Sequence, residues 1–382
     1  MSRVKLLYLI IVLVPLSNLY SQSIDNLKLL FHEEHTAIYE CDASPVGNAV
    51  SFRTSAGNVD MHYLYDFKNQ SPVPIFSMDG GFVGNTVKRN TKNLIWSRYK
   101  KNGCLLEVVE DGKTSFAEII YNQNNQVKVR YFDVSNLNPS QFSTATLLVW
   151  FRKEAVLSRW FSKTPIEGDI PAKLYDLHSM LPDRSNAKTT IIDSNPSVRE
   201  LHASPFGRDE LIVSGVDDTG MNELFYMSLR GKEKFAQRTR TPKLSESWPA
   251  VSPRNDFVVF ANPHGKNENR ADLFIMPISG GEPEILVTDI YIPATSYSSS
   301  GIYQWSKDGK EVVYISYSPE NKNPLSVVDV KSKTVNPFDI DVVFPTSFAI
   351  SGDEKNILIV AAGTSVSNDQ TSYKAFVGDY HY

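Results

Sequence analysis

Two cysteines in 382 residues are too few for a disulfide framework. Basic charge is not in excess either. Lys and Arg number 39 against 43 Asp and Glu, a net charge of −4 at pH 7, which argues against the basic surface that nucleic-acid binding needs. Beyond the first residues no apolar run approaches the roughly 20 residues of a bilayer span, so no membrane insertion of the mature chain is expected. The Gly-x-Ser-x-Gly elbow of a serine hydrolase is missing. His32-Glu33-Glu34-His35 lacks the His-Glu-x-x-His spacing, and no third ligand stands nearby, so a polar turn is expected there. Asp217-Asp218 and Asp60 lack the alternating oxygen ligands of a calcium loop. No metal, no cofactor and no catalytic residue is expected from these motifs.

What the chain does contain begins with a leader. Arg3 and Lys5 precede an apolar run over residues 6–16, and Ser21 offers a small residue before Gln22. This is the pattern of a secretory signal peptide over 1–21, with an uncleaved anchor as the alternative. No cysteine stands at the junction to take a lipid. Residues 22–382 are expected to form one domain in the periplasm or outside the cell, since no linker or low-complexity tract divides them.

Short β-type runs fill that domain. In residues 248–289 four of them follow one another, each rich in β-branched or aromatic residues and bounded by turn residues. Four antiparallel strands in a row make the small sheet from which β-propellers are built. The unit recurs as a turn leading six to eight positions later into an apolar cluster. The turns fall at Ser44-Pro45, Lys88, Phe142, Ser204-Pro205, Ser252-Pro253, Ser306 and Ser351, spaced 44 to 62 residues apart, a blade-sized period once loop insertions are allowed. A third β-type run follows each.

The expected fold is therefore all-β: a seven-bladed propeller of four-stranded antiparallel sheets. Six blades are the alternative, because residues 127–177 are irregular. The seventh blade lacks an outer strand and the N-terminus has one spare, so residues 27–31 are expected to pair with 373–377 and close the ring. Cys41 falls on the first strand of blade one and Cys104 on what reads as the third strand of blade two. Both are expected to be buried, unpaired thiols.

The residues Ser252-Pro253, Phe260, Asp272-Leu273-Phe274 and Gly280-Gly281-Glu282, echoed by Ser306-Lys307-Asp308-Gly309-Lys310, resemble the repeat of TolB-like or PD40 (WD40-like) propellers. The resemblance covers nearly all of the mature chain and is crispest after about Val198. It implies the propeller fold and a cell-envelope context. Related propellers also gate prolyl-oligopeptidase-like enzymes.

Asp272 and Glu223 share one repeat position at the start of a third strand, which points to a hydrogen bond with a neighbouring turn. The polar loop 262–270, with 317–324 and 363–371, connects second and third strands. Such loops gather on one face of a propeller. His264, Arg270 and Asp218 are the expected ligand-contacting residues. The function expected is a binding or scaffold module for a protein, peptide or glycan of the envelope, working as a monomer or as a subunit of a larger assembly. A hydrolase or lyase with its site at the channel mouth is the alternative.

Overall fold

In the computed structural model, residues 23–381 are described except 33–35, 57–58, 69, 71, 75–88, 102, 111–112, 122–126, 133–144, 151–154, 163–172, 181–188, 194–198, 208, 217–220, 229–234, 266–268, 294–300, 319–322, 343 and 365–370. The leader and Asp218 fall outside them. The described residues form strands and turns, and no helix among them is long and apolar enough to cross a membrane.

Seven four-stranded sheets succeed one another along the chain. Blade one holds β2 (Ala37–Ala43), β3 (Ala49–Ala56), β4 (Val59–Asp66) and β5 (Pro72–Pro74). Blade two holds β6 (Arg89–Trp96), β7 (Gly103–Glu110), β8 (Lys113–Tyr121) and β9 (Val127–Phe132). Blade three is β10 (Ala145–Trp150), β11 (Ala155–Ser162), β12 (Lys173–Met180) and β13 (Thr189–Asp193). Blade four is β14 (Arg199–Phe206), β15 (Glu210–Val216), β16 (Asn222–Ser228) and β17 (Phe235–Gln237). Blade five is β18 (Ser247–Val251), β19 (Phe257–Pro263), β20 (Arg270–Pro277) and β21 (Glu284–Tyr291). Blade six is β22 (Tyr303–Trp305), β23 (Glu311–Ile315), β24 (Leu325–Asp329) and β25 (Val335–Pro337). Blade seven takes β26 (Pro345–Ile350), β27 (Asn356–Thr364) and β28 (Thr371–His381) from the end of the chain and β1 (Ser23–His32) from its start.

The closing strand pairs as its sequence indicates. Lys28 lies opposite Val377, Leu29 opposite Phe376 and Phe31 opposite Ala375. Ile24 of β1 is buried with Tyr380 and Ile357. Gly378 lets the two strands meet closely, because a Cβ there would stand 2.9 Å from the Asp25 carbonyl oxygen.

First strands are innermost. β2 packs beside β26, β6 beside β10 and β14 beside β18, so neighbouring blades touch along them. In six of the seven blades the first strand carries a register shift against the second. Such bulges bend a strand and strengthen its twist, and here they recur around the inner wall. Glu40 (φ 55°) and Trp248 (φ 52°) sit at two of them.

The core lies between blades rather than at the centre of the ring. One cluster joins Val259, Leu273 and Ile275 of blade five to Val312, Tyr314 and Val328 of blade six. Another joins Val313 and Val327 of blade six to Ile357 and Ile359 of blade seven. A third joins Val50 and Phe52 of blade one to Leu358 and Val360 of blade seven. Among the described residues these sheets thus bury both faces, and their second strands read as continuous apolar runs such as Phe257-Val258-Val259-Phe260.

The serine anchors of blades one, five, six and seven close the hairpin between first and second strands, whereas in blade four Ser204-Pro205 lies within β14, paired with Ile212 and Leu211, and the turn follows Phe206. The N–H of Ser44, Ser252, Ser306 and Ser351 donates to the carbonyl five residues on, in each case at 2.9 Å. The hydroxyls of Ser252, Ser306 and Ser351 accept the returning N–H of Phe257, Glu311 and Asn356. They donate to Asp256, Asp308 and Asp353.

Two positions in the sequence reading are shifted. Blade two turns at Ser97, whose N–H donates to the Gly103 carbonyl at 2.9 Å, and not near Lys88. Blade three turns between β10 and β11, and not at Phe142. The runs that follow Lys88 and Phe142 are first strands rather than second ones. Residues 127–132 accordingly close blade two instead of opening blade three, and Cys104 stands on the second strand of its blade. The Ser97 bond spans six residues rather than five, and no serine lies between β10 and β11, which is why the register slipped by one strand. Cys41 and Cys104 are both buried free thiols, and burial pushes the Cys41 thiol up to about 12.

Candidate functional site

Strands alternate in direction, so the loops between second and third strands share one face of the ring with the connections from each fourth strand to the next blade. The serine hairpins occupy the opposite face. On the first face, at the edge between blades five and six, four ionisable side chains converge.

Arg270 and Asp272 lie two residues apart on β20 and so project from the same side of the sheet. Across from them β21 bulges. Ala271 pairs with Ile290 and Leu273 with Val287, which leaves Thr288 and Asp289 together opposite Asp272. The extra residue puts Asp289 in the left-handed region (φ 61°), a conformation Asp tolerates better than most residues. Its N–H then donates to Asp272 Oδ1 at 3.1 Å. Its carbonyl accepts the N–H of Tyr317 from blade six at 2.7 Å. An isolated bridge between Ile290 and Ser316 reinforces the same seam.

His264 follows β19, and its backbone N–H donates to the Arg270 carbonyl at 3.1 Å. Its Nε2 stands 3.0 Å from Asp272 Oδ1. Arg270 Nε donates to Asp289 Oδ1 at 2.5 Å, and the guanidinium lies 5.5 Å from the centre of the Tyr317 ring. The side chains are 24% (His264), 21% (Asp272), 38% (Arg270) and 41% (Asp289) exposed. They are held on their inner sides and open outward. Two of the three residues expected to contact a ligand, His264 and Arg270, are thereby brought into one cluster. Asp218 lies outside the described residues.

Asp289 and Tyr317 belong to the cluster without having been expected there. The only sequence cue for Asp289 is an Asp inside a β-type run, where it is disfavoured. Asp272 does what its repeat position suggests, since it receives the Asp289 N–H. Glu223 does the same in blade four, where its Oε1 accepts the Thr241 N–H at 2.9 Å.

Blade four adds a buried carboxyl on the same face. Glu246 is inaccessible to solvent. It accepts hydrogen bonds from the hydroxyls of Thr239 and Thr241 and from the Leu224 N–H. Burial, reinforced by the nearby Glu223, pushes its carboxyl up to about 7 against these three donors. No ligand can reach it directly, so it serves to pin the connection from blade four to blade five. Elsewhere, His32 at the end of β1 places Nδ1 3.2 Å from the Tyr373 carbonyl, while residues 33–35 of the His-Glu-Glu-His run lie outside the described residues.

No protein-family model matches the chain, and no curated protein matches it either. Solved structures do. An oligogalacturonate lyase from Vibrio parahaemolyticus aligns at 10% identity with a TM-score of 0.56, covering 94% of this chain and 97% of that one. The β-propeller domain of the Trilobed protease from Pyrococcus furiosus aligns at 14% identity and TM-score 0.53, covering 78% and 83%. That domain has an open velcro topology, whereas here β1 pairs with β28. A prolyl endopeptidase aligns at 11% identity and TM-score 0.56 over 91% of this chain, which spans 50% of that protein. Structures of TolB are matched as well. The protein is thus an all-β propeller, similar in architecture to the lyase, to the protease propeller domain and to the part of the prolyl endopeptidase that it matches. At these identities the likeness is one of fold.

Proposed function

We propose that the protein is an exported binding module that presents the face of its second-to-third-strand loops to a protein, peptide or glycan of the cell envelope. The observation that carries this reading is the cluster at the edge of blades five and six. It sets Arg270, stacked near Tyr317, beside His264 and two carboxylates, all partly exposed and all anchored by backbone hydrogen bonds. Arg and Tyr are the side chains that most often dominate recognition surfaces. A rigid mounting keeps the ordering cost of binding low. The leader-like start of the sequence and the TolB-like repeat support an envelope setting.

The test is affinity capture from envelope fractions with the tagged chain and with an Arg270→Ala/Tyr317→Ala variant of unchanged circular dichroism. The expected result is a partner held by the unaltered chain and depleted at least ~10-fold by the double substitution, the scale of a 1.4 kcal/mol contact. Equal recovery by both proteins would remove this face from the account.

A further inference from the structure

We propose that His264, Asp272 and Asp289 together bind one divalent transition-metal cation, of the Zn2+ type, at the edge of blades five and six. One ligand atom from each of the three lies within 4.8 Å of the other two, and His264 Nε2 is 3.0 Å from Asp272 Oδ1. A tetrahedral zinc with bonds of roughly 2.0–2.2 Å sets its ligand atoms about 3.3–3.5 Å apart. Small side-chain rotations therefore bring the three into register around a cation placed between them.

The donors come from three successive segments of one blade: the end of β19, β20 and the bulge of β21. Their backbones are already fixed by the bonds Asp289 N–H to Asp272, Tyr317 N–H to the Asp289 carbonyl, and His264 N–H to the Arg270 carbonyl. Little ordering is left for the cation to impose. Two carboxylates with an imidazole match the charge of a doubly charged ion, and Arg270 beside Asp289 leaves the loaded cluster with one net positive charge. Arg270 engages Oδ1 of Asp289, so Oδ2 remains to face the metal, and the guanidinium orients the ligand as outer partners of metal sites do. Imidazole with carboxylate donors suits zinc better than calcium or magnesium, which prefer six or more oxygens or retain their waters. The partial exposure of all three side chains leaves a fourth corner for water or for an oxygen atom of a bound partner. This inference is independent of the partner reading, which stands or falls on Arg270 and Tyr317.

The experiment is calorimetric titration of the full chain with ZnCl2 in a non-coordinating buffer, with MgCl2 as the comparison. His264→Gln and Asp289→Asn variants, each checked for an unchanged fold by circular dichroism, are titrated in parallel. The expected outcome is one zinc per chain, no saturable magnesium binding, and affinity at least ~10-fold weaker in either variant. His264→Gln leaves the Arg270–Asp289 pair intact, so its loss of affinity cannot be laid to a loosened hairpin. Absence of saturable zinc binding overturns the proposal. So does affinity unchanged in both variants, which would place the metal on other histidines of the chain and leave this cluster as ion pairs alone.

Discussion

Glu246 is a carboxyl whose chemistry the fold, rather than a partner, moves away from its ordinary behaviour. Its carboxyl rises from about 4.5 to about 7 on folding, chiefly because it is buried. The folded state then holds a proton that the unfolded chain has already released between those two values. Stability from this group is complete below about pH 4.5 and is lost as pH rises through about 7. A shift of this size corresponds to on the order of 3 kcal/mol at alkaline pH. Urea denaturation at pH 5 and pH 8 should therefore show a smaller fall in midpoint for Glu246→Gln than for the unaltered chain. Identical falls would mean that the proton belongs elsewhere. At this scale the sequence was partly legible. Asp272 and Glu223 could be assigned a structural duty because they recur at one repeat position. Asp289 could not, because its place depends on a bulge that only the pairing of β20 with β21 creates.

Among elements, the serine hairpin is the most informative. Its side chain satisfies a backbone donor, and its own N–H closes the turn, so one residue organises about six. Replacing Ser306 with Ala removes the hydroxyl acceptor of the Glu311 N–H and one of the donors to Asp308. A loss of about 1–2 kcal/mol is expected, read as a lower denaturant midpoint at unchanged slope. A change below a few tenths would show that the turn is set by its backbone alone. These hairpins explain why blades one and four to seven were legible. Blades one, five, six and seven have a Ser turn into an apolar run, because that turn uses the serine N–H, and in blade four Ser204 marks the end of the first strand just before the turn. Blade two keeps the serine at Ser97, but its N–H bonds the carbonyl six residues on instead of five. Between β10 and β11 of blade three the sequence reads Phe151-Arg152-Lys153-Glu154, with no serine at all. Without the mark, three consecutive β-type runs cannot be told apart by periodicity, since the first, second and third strands of a blade are all apolar and of similar length.

At the scale of the whole molecule, the ring is held shut by one seam, and Gly378 is its narrowest point. A methyl group there would meet the Asp25 carbonyl and the Leu27 side chain, each at 2.9 Å. Gly378→Ala should cost about 1–3 kcal/mol through overpacking. It should also speed amide exchange in β1 and β28 more than in blade five, as followed by hydrogen–deuterium exchange mass spectrometry. Uniform exchange across all sheets would argue against a distinct seam. That closure was readable beforehand from simple accounting, since one blade was a strand short and the opposite terminus had one to spare.

The same seam sets a problem of timing. Of the strands described, β1 leaves the ribosome first and its partner β28 last. For the whole of synthesis the opening segment has nowhere to dock, and the half-built toroid shows a raw β-rim at each end. The nascent chain must keep that leading ribbon soluble and unengaged until the final residues arrive. A holding chaperone that recognises extended, unpaired backbone would suit this stage of its life.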